Sequence, residues 1–145
     1  MTDAWLDTDV IIRFLTGDDT EKQRRAQALF EQVEDGRLTV RVPQTVIADA
    51  VYVLHSKQLY NRTKREVAEL LLPLVQLPHL RIYQRGVVVR ALQLYGALAR
   101  LDFTDALLVA LMEGPGPSVA YSWDTDYDGI AAVTRREPEI GPARP

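Results

Sequence analysis

The chain has 145 residues, 47% hydrophobic and 26% charged, which fits one domain with room for a three-layer core. It has no cysteine, so disulfides and thiolate metal sites are excluded, and any metal must rely on oxygen ligands or the two histidines. A net charge of −3 speaks against coating nucleic acid by bulk charge, and no run approaches the roughly 20 apolar residues of a membrane span, so a cytoplasmic protein with no membrane contact is expected.

Ala4 to Leu6 is short and apolar enough for a buried strand, with Asp7 at its carboxyl end. Val10 to Leu15 then reads as helix, stopped near Gly17, and Asp18 with Glu21 three residues on has capping-box spacing for the next helix. Ala26, Leu29, Phe30 and Val33 share one face of that helix, and Gly36 ends it before a strand from Leu38 to Val42. Pro43 suits the first turn of a helix running to about Lys57. A further helix, Thr63 to Leu72, is predicted to close at Pro73, followed by a strand at Leu80 to Tyr83 and a helix from Gly86 to Ala99. Asp102 should cap a helix that reaches Met112, which Gly114-Pro115-Gly116-Pro117 breaks. Strands at Ser118 to Tyr121 and near Ala131 to Thr134 complete the pattern.

Short apolar strands alternating with helices imply an α/β fold, a three-layer α/β/α domain whose mostly parallel central sheet has four to five short strands and is covered on both faces. One domain is expected over 1–137, with 138–145 as a loose tail. In such sheets ligands bind beyond the carboxyl ends of the strands, so the placement of acids is informative.

Asp7 follows the first strand and Asp124 follows the strand after the Gly-Pro breaker, so both should project from one sheet edge. Asp49 lies in TVIADAVYVL, apolar nearly all round, and a buried carboxylate without a partner costs several kcal/mol or is forced neutral. Asp105 sits in LDFTDALLVALM, three residues after Asp102, where it is either a first-turn acid favoured by the helix dipole or a site residue. Asp126 and Asp128 belong to a polar turn. Carboxylates converging on one edge repel one another by about 4 kcal/mol per pair at ~4 Å and an effective dielectric near 20. A divalent cation removes that repulsion, activates water and neutralises charge developing on a phosphate, and hard oxygen ligands suit Mg²⁺ or Mn²⁺. The implied chemistry is metal-assisted hydrolysis of a phosphodiester.

In order, LDTDVIIRFLTGDD, VPQTVIADAVYVL, DFTDALLVA and SWDTDYDGI resemble the motifs of the PIN-domain ribonucleases, specifically the VapC-type toxins of bacterial toxin–antitoxin pairs. The resemblance runs through nearly the whole chain. It implies a compact PIN-like α/β/α domain, a Mg²⁺- or Mn²⁺-dependent endoribonuclease acting on RNA, a homodimer, and inhibition by a small VapB-like antitoxin. Carried over by position, Asp7, Asp105 and Asp124 correspond to metal-ligating acids. Asp49 stands where Glu is usual, so its shorter side chain would reach metal through water. Thr8 matches the small hydroxyl residue beside the first acid, Ser122 stands where Thr is common, and Asp9 replaces a common Asn. Arg13 is a candidate for contact with RNA phosphate near the site, or equally a solvated or capping Arg. Tyr52 and His55 read as a packed aromatic and a surface histidine.

Two other readings remain open. Asp7-Thr8-Asp9-Val10 is also the start of an aspartyl-phosphate phosphotransferase, but that chemistry needs a lysine at a strand end, and Lys22, Lys57 and Lys64 all lie in helical surface patterns. Alternatively the chain is a binding module on the same fold, with the Asp9 and Asp49 departures weakening metal affinity.

Overall fold

A computed structural model describes residues 3–141 of the chain. The elements follow the order β1 (Ala4–Trp5), α1 (Thr8–Leu15), α2 (Thr20–Glu34), β2 (Val40–Val42), α3 (Gln44–His55), α4 (Lys64–Val75), β3 (Leu80–Ile82), α5 (Arg85–Ala97), α6 (Phe103–Met112), β4 (Ser118–Tyr121) and β5 (Val133–Arg136). A 3-10 turn over Thr125–Tyr127 lies between the last two strands. Of the tail expected at 138–145, residues 142–145 lie outside the described residues.

All strand pairing is parallel, as the alternation of strands and helices implies. The five strands divide into a three-stranded sheet of order β1-β2-β3 and a two-stranded sheet β4-β5. Ala4 pairs with Val40, and Val40 with Leu80, so one row of side chains crosses the first sheet. Val40, Val42, Leu80 and Ile82 turn inward and are buried. They join a core to which all six helices contribute, through Ile11, Phe30, Ile47, Leu71, Leu92 and Phe103 among others. The alternate positions Trp5, Arg41 and Arg81 are exposed. The expected cover on both faces is therefore incomplete, and these strands show the in-out alternation of a sheet with one wet face.

Three local expectations are corrected. The N-cap of α2 is Asp19, whose side chain accepts the Lys22 N–H at 3.0 Å. Asp18 is diverted elsewhere, accepting hydrogen bonds from the Tyr60 hydroxyl at 2.7 Å and the Thr16 hydroxyl at 3.0 Å. Helix α4 does not stop at Pro73 but carries it inside and continues to Val75. An internal proline costs about 3 kcal/mol. Here Leu74 and Val75 beyond it are buried, so tertiary packing holds the last turn. The final strand begins at Val133 rather than Ala131, because its register to β4 pairs Ser118 with Val133 and Tyr121 with Arg136.

Candidate active site

The acids fall into two groups with different surroundings. The first surrounds the start of α1. The Leu6 N–H donates to the Arg41 carbonyl at 3.0 Å, extending the ladder by one residue, and the chain leaves the sheet at Asp7. Asp7 is the N-cap of α1, accepting the Thr8 N–H at 2.7 Å, and is otherwise exposed. Its carboxylate thus sits at the positive end of a helix, where negative charge is favoured.

Across from it, α3 buries Ile47, Ala50, Val51 and Leu54, an i, i+3, i+4, i+7 stripe. Asp49 falls off that stripe and is exposed, so the expectation of a buried carboxylate is corrected. The apolar residues beside it hid a one-sided helix. Asp7, Thr8, Asp9, Arg13, Asp49 and Tyr60 are among the residues lining one cavity of about 480 Å³. Arg13 reaches it from the last turn of α1 while donating to Asp18 at 3.3 Å. The Tyr60 hydroxyl, with Thr16 and Arg13, keeps Asp18 below the usual carboxylate range. Tyr60 and Asp18 therefore tie the loop after α3 to the loop after α1. Tyr52 is 71% exposed rather than packed, while His55 is exposed as expected, its Nδ1 2.8 Å from the Arg62 carbonyl.

The second group surrounds the start of α6. Asp102 caps this helix and Asp105 closes a reciprocal capping box with it. Asp105 is half-buried and also accepts the Tyr127 hydroxyl at 2.8 Å. Burial pushes its carboxyl above the ordinary Asp value and the charge of Asp102 adds to this, while the Tyr127 hydrogen bond opposes them. Tyr127 is itself buried, and burial together with Asp105, Asp102 and Asp124 holds its phenol well above the usual range. Asp124 is exposed and caps the 3-10 turn, accepting the Asp126 N–H at 2.9 Å. The Asp124 N–H donates to the Ser122 hydroxyl at 2.9 Å. Asp126 and Asp128 form the polar turn anticipated, with Arg100 donating to both of their carbonyls and Arg135 to the Asp128 carboxylate at 2.8 Å.

Two residues of this second group were missed. Tyr127 is the hub through which Asp105 and Asp124 are related, and its only signal was an aromatic ring amid the acids of WDTDYDG. Lys64 lies on a helix as expected but is half-buried, with its ammonium engaged. Its Nζ donates to the Leu98 carbonyl at 2.6 Å and the Ala99 carbonyl at 3.2 Å, and to that of Leu101. It also lies 4.6 Å from the centroid of the Tyr95 ring. Burial depresses its pKa, with Asp102 and Asp105 acting in the opposite direction. Burial pushes the Tyr95 phenol up to about 12, with Asp102 contributing.

The chemistry of the donor set fits a hard divalent cation: carboxylates and hydroxyls, no sulfur, and three exposed carboxylates, Asp7, Asp9 and Asp49, lining one cavity. The carboxylates are not drawn to a point, since no group of three or more His, Asp or Glu among the described residues is placed to hold a metal ion together. No helix among the described residues is long and apolar enough to cross a membrane.

A parallel α/β fold with exposed carboxylates beyond the strand ends is an arrangement that suits a divalent cation. Residues 4–133 match the family model of the PIN domain, and the chain belongs to the PIN-domain family, whose members are generally metal-dependent nucleases. A search of curated proteins and a search of solved structures returned no match.

Proposed function

We propose that the chain is a Mg²⁺- or Mn²⁺-dependent endoribonuclease and the VapC-type toxin of a toxin–antitoxin pair. In this reading it works in the cytoplasm as a homodimer and is inhibited by a VapB-like antitoxin. The observation that carries the nuclease reading is the cavity where Asp7 and Asp49, from two elements distant in sequence, face each other beyond the end of β1. The toxin, dimer and antitoxin parts rest on the resemblance of the four motifs.

By the resemblance of the motifs, Asp7, Asp105 and Asp124 would hold the cation directly and Asp49 through water, although of these four only Asp7 and Asp49 line the shared cavity. When bound, the ion supplies an activated water and charge neutralisation at the scissile phosphate. The α1 N-terminus offsets negative charge at Asp7. Tyr127 orients Asp105 by a hydrogen bond, and Ser122 orients the backbone of Asp124. Arg13, fixed by Asp18 at the cavity wall, supplies positive charge for an RNA phosphate.

The phosphotransferase reading loses its remaining support. Helix α1 starts at Thr8, directly after Asp7, and Lys64 is committed to three carbonyls. The spread of the carboxylates favours one other reading, a PIN-fold binding module that holds metal weakly. The purified chain, freed of any antitoxin, is incubated with total RNA in Mg²⁺ or Mn²⁺ and in EDTA. Cleavage that requires metal and disappears in Asp7→Asn is the expected result. Undiminished cleavage in EDTA overturns the mechanism, and no cleavage together with weak metal binding by calorimetry selects the binding module.

A further inference from the structure

The uncovered face of the three-stranded sheet is a feature that the proposed chemistry leaves unused. In register, Trp5 stands beside Arg41 and Arg41 beside Arg81, so the three make a row across the strands on the solvent side. Neighbouring strands lie about 4.8 Å apart, which puts the row at a spacing that extended chains can follow. The Arg41 guanidinium stacks 5.9 Å from the Trp5 ring centroid. Tyr83 follows β3 and is 76% exposed, and Trp5 is 64% exposed. The Gln44 side chain donates to the Tyr83 carbonyl at 2.7 Å, fixing the turn that presents this ring.

A cavity of about 490 Å³ lies on this face, lined by Trp5, Arg41, Arg81, Tyr83 and Arg85 with Val42, Pro43 and Ile82. Its lining holds three arginines and no carboxylate. Arg85 is committed to the fold, its Nη2 donating to the carbonyls of Leu77 at 3.2 Å and Leu80 at 2.5 Å. Arg41 approaches Asp3 at 3.7 Å with both side chains more than half exposed, a contact that solvent screens and a stronger anion displaces. Arg81 projects into the same space. In a protein of net charge −3, this concentration of arginine beside two exposed rings selects for a polyanion with stackable faces.

We infer that this sheet face is a platform for single-stranded RNA, with bases stacked on Trp5 and Tyr83 and backbone phosphates held by Arg41 and Arg81. That the nucleic acid is RNA, and substrate, rests on the nuclease reading. The face itself is argued from charge and exposure. Trp5 is two residues before Asp7 on the same chain, so a strand lying across the platform leads toward the carboxyl edge where the acids are. A second copy of this chain is the less favoured occupant, because a two-fold contact through this face would set arginine row against arginine row.

The test is fluorescence-anisotropy titration, in EDTA so that nothing is cut, of the full chain with a labelled oligouridylate of about twelve nucleotides, within the range of known single-strand site sizes. Arg41→Gln with Arg81→Gln is expected to weaken binding about tenfold or more and to flatten its salt dependence. Tyr83→Ala and Trp5→Ala are each expected to weaken it about fivefold or more. Arg24→Gln, on the exposed face of α2, should leave it unchanged. Melting curves check each fold, and Tyr83, the more exposed of the two rings, covers the case in which Trp5→Ala misfolds. The inference is overturned if the wild-type chain does not bind, if the double arginine variant binds within twofold of wild type, or if that variant changes only the sedimenting mass. Metal-supported cleavage by a double arginine variant of unaltered affinity would overturn the platform and leave the nuclease. Binding that depends on the platform without any cleavage would do the reverse.

Discussion

The start of α1 and the start of α6 present the same residue type, an aspartate near a helix N-terminus, in two different conditions. At α1, Asp7 accepts one backbone N–H and is otherwise open to a cavity that it shares with Asp9 and Asp49. At α6, Asp105 is half-buried, bonded by Tyr127 and by the Asp102 backbone, and beside the charge of Asp102. The open carboxylate is available to a ligand. The enclosed one is positioned but penalised as an anion, a penalty that a bound cation would relieve.

Four changes sharpen or break this contrast. The largest effect is expected at Asp7: Asp7→Asn should lower metal-supported RNA cleavage about a thousandfold, on the order of 4 kcal/mol of transition-state stabilisation. Its melting temperature should stay near wild type, since Asn caps a helix as well as Asp. A clear loss of stability would show that Asp7 is structural first.

Lys64→Met should cost about 2 to 3 kcal/mol in urea denaturation, because three carbonyls lose a charged donor at once. A cost under about 0.5 kcal/mol would mean that water replaces the ammonium readily.

Tyr127→Phe should cost about 1 kcal/mol of stability. It should also raise the Asp105 pKa further, since the lost hydrogen bond is the larger of the two that lower it, the other being from the Asp102 backbone. NMR titration of the carboxyl group in metal-free protein reads this directly, and a downward shift would reverse the assignment.

The smallest effect concerns pH. The Asp105 pKa is raised in the fold above its ordinary value of 3.8, so the protonated form favours folding. That contribution is present below the unfolded pKa and is lost as pH rises to the folded one. In EDTA, the melting temperature of wild type should therefore fall relative to Asp105→Asn across a window that opens near 3.8 and closes at the raised value. Parallel curves for wild type and Asp105→Asn would place the carboxylate in a solvated setting after all.

Much of the fold was legible because its signals are local. The Gly-Pro breaker after Met112, the Asp102 capping box and the apolar run Ser118–Tyr121 each need only a few neighbouring residues to act. Boundaries failed where a distant contact competed with a local preference. Asp18 had the spacing for a cap, but Tyr60, 42 residues away, binds its carboxylate, and the adjacent Asp19 takes the cap. Pro73 should have ended α4, yet Leu74 and Val75 are buried beyond it. Asp49 was noticed for a burial it does not have.

From the sequence alone came the parallel α/β alternation and the positions of the acids relative to strand ends and helix starts, because hydrophobic period and capping chemistry are written in adjacent residues. Only the tertiary structure decided which acids share a cavity and which are enclosed, that Tyr127 is buried and Lys64 half-buried against carbonyls, and that one sheet face stays open with Trp5, Arg41 and Arg81 upon it. Those outcomes depend on which surfaces meet when elements far apart in sequence pack. A polar side chain's partner, and hence its charge and availability, is fixed by that packing and by no residue near it in the chain.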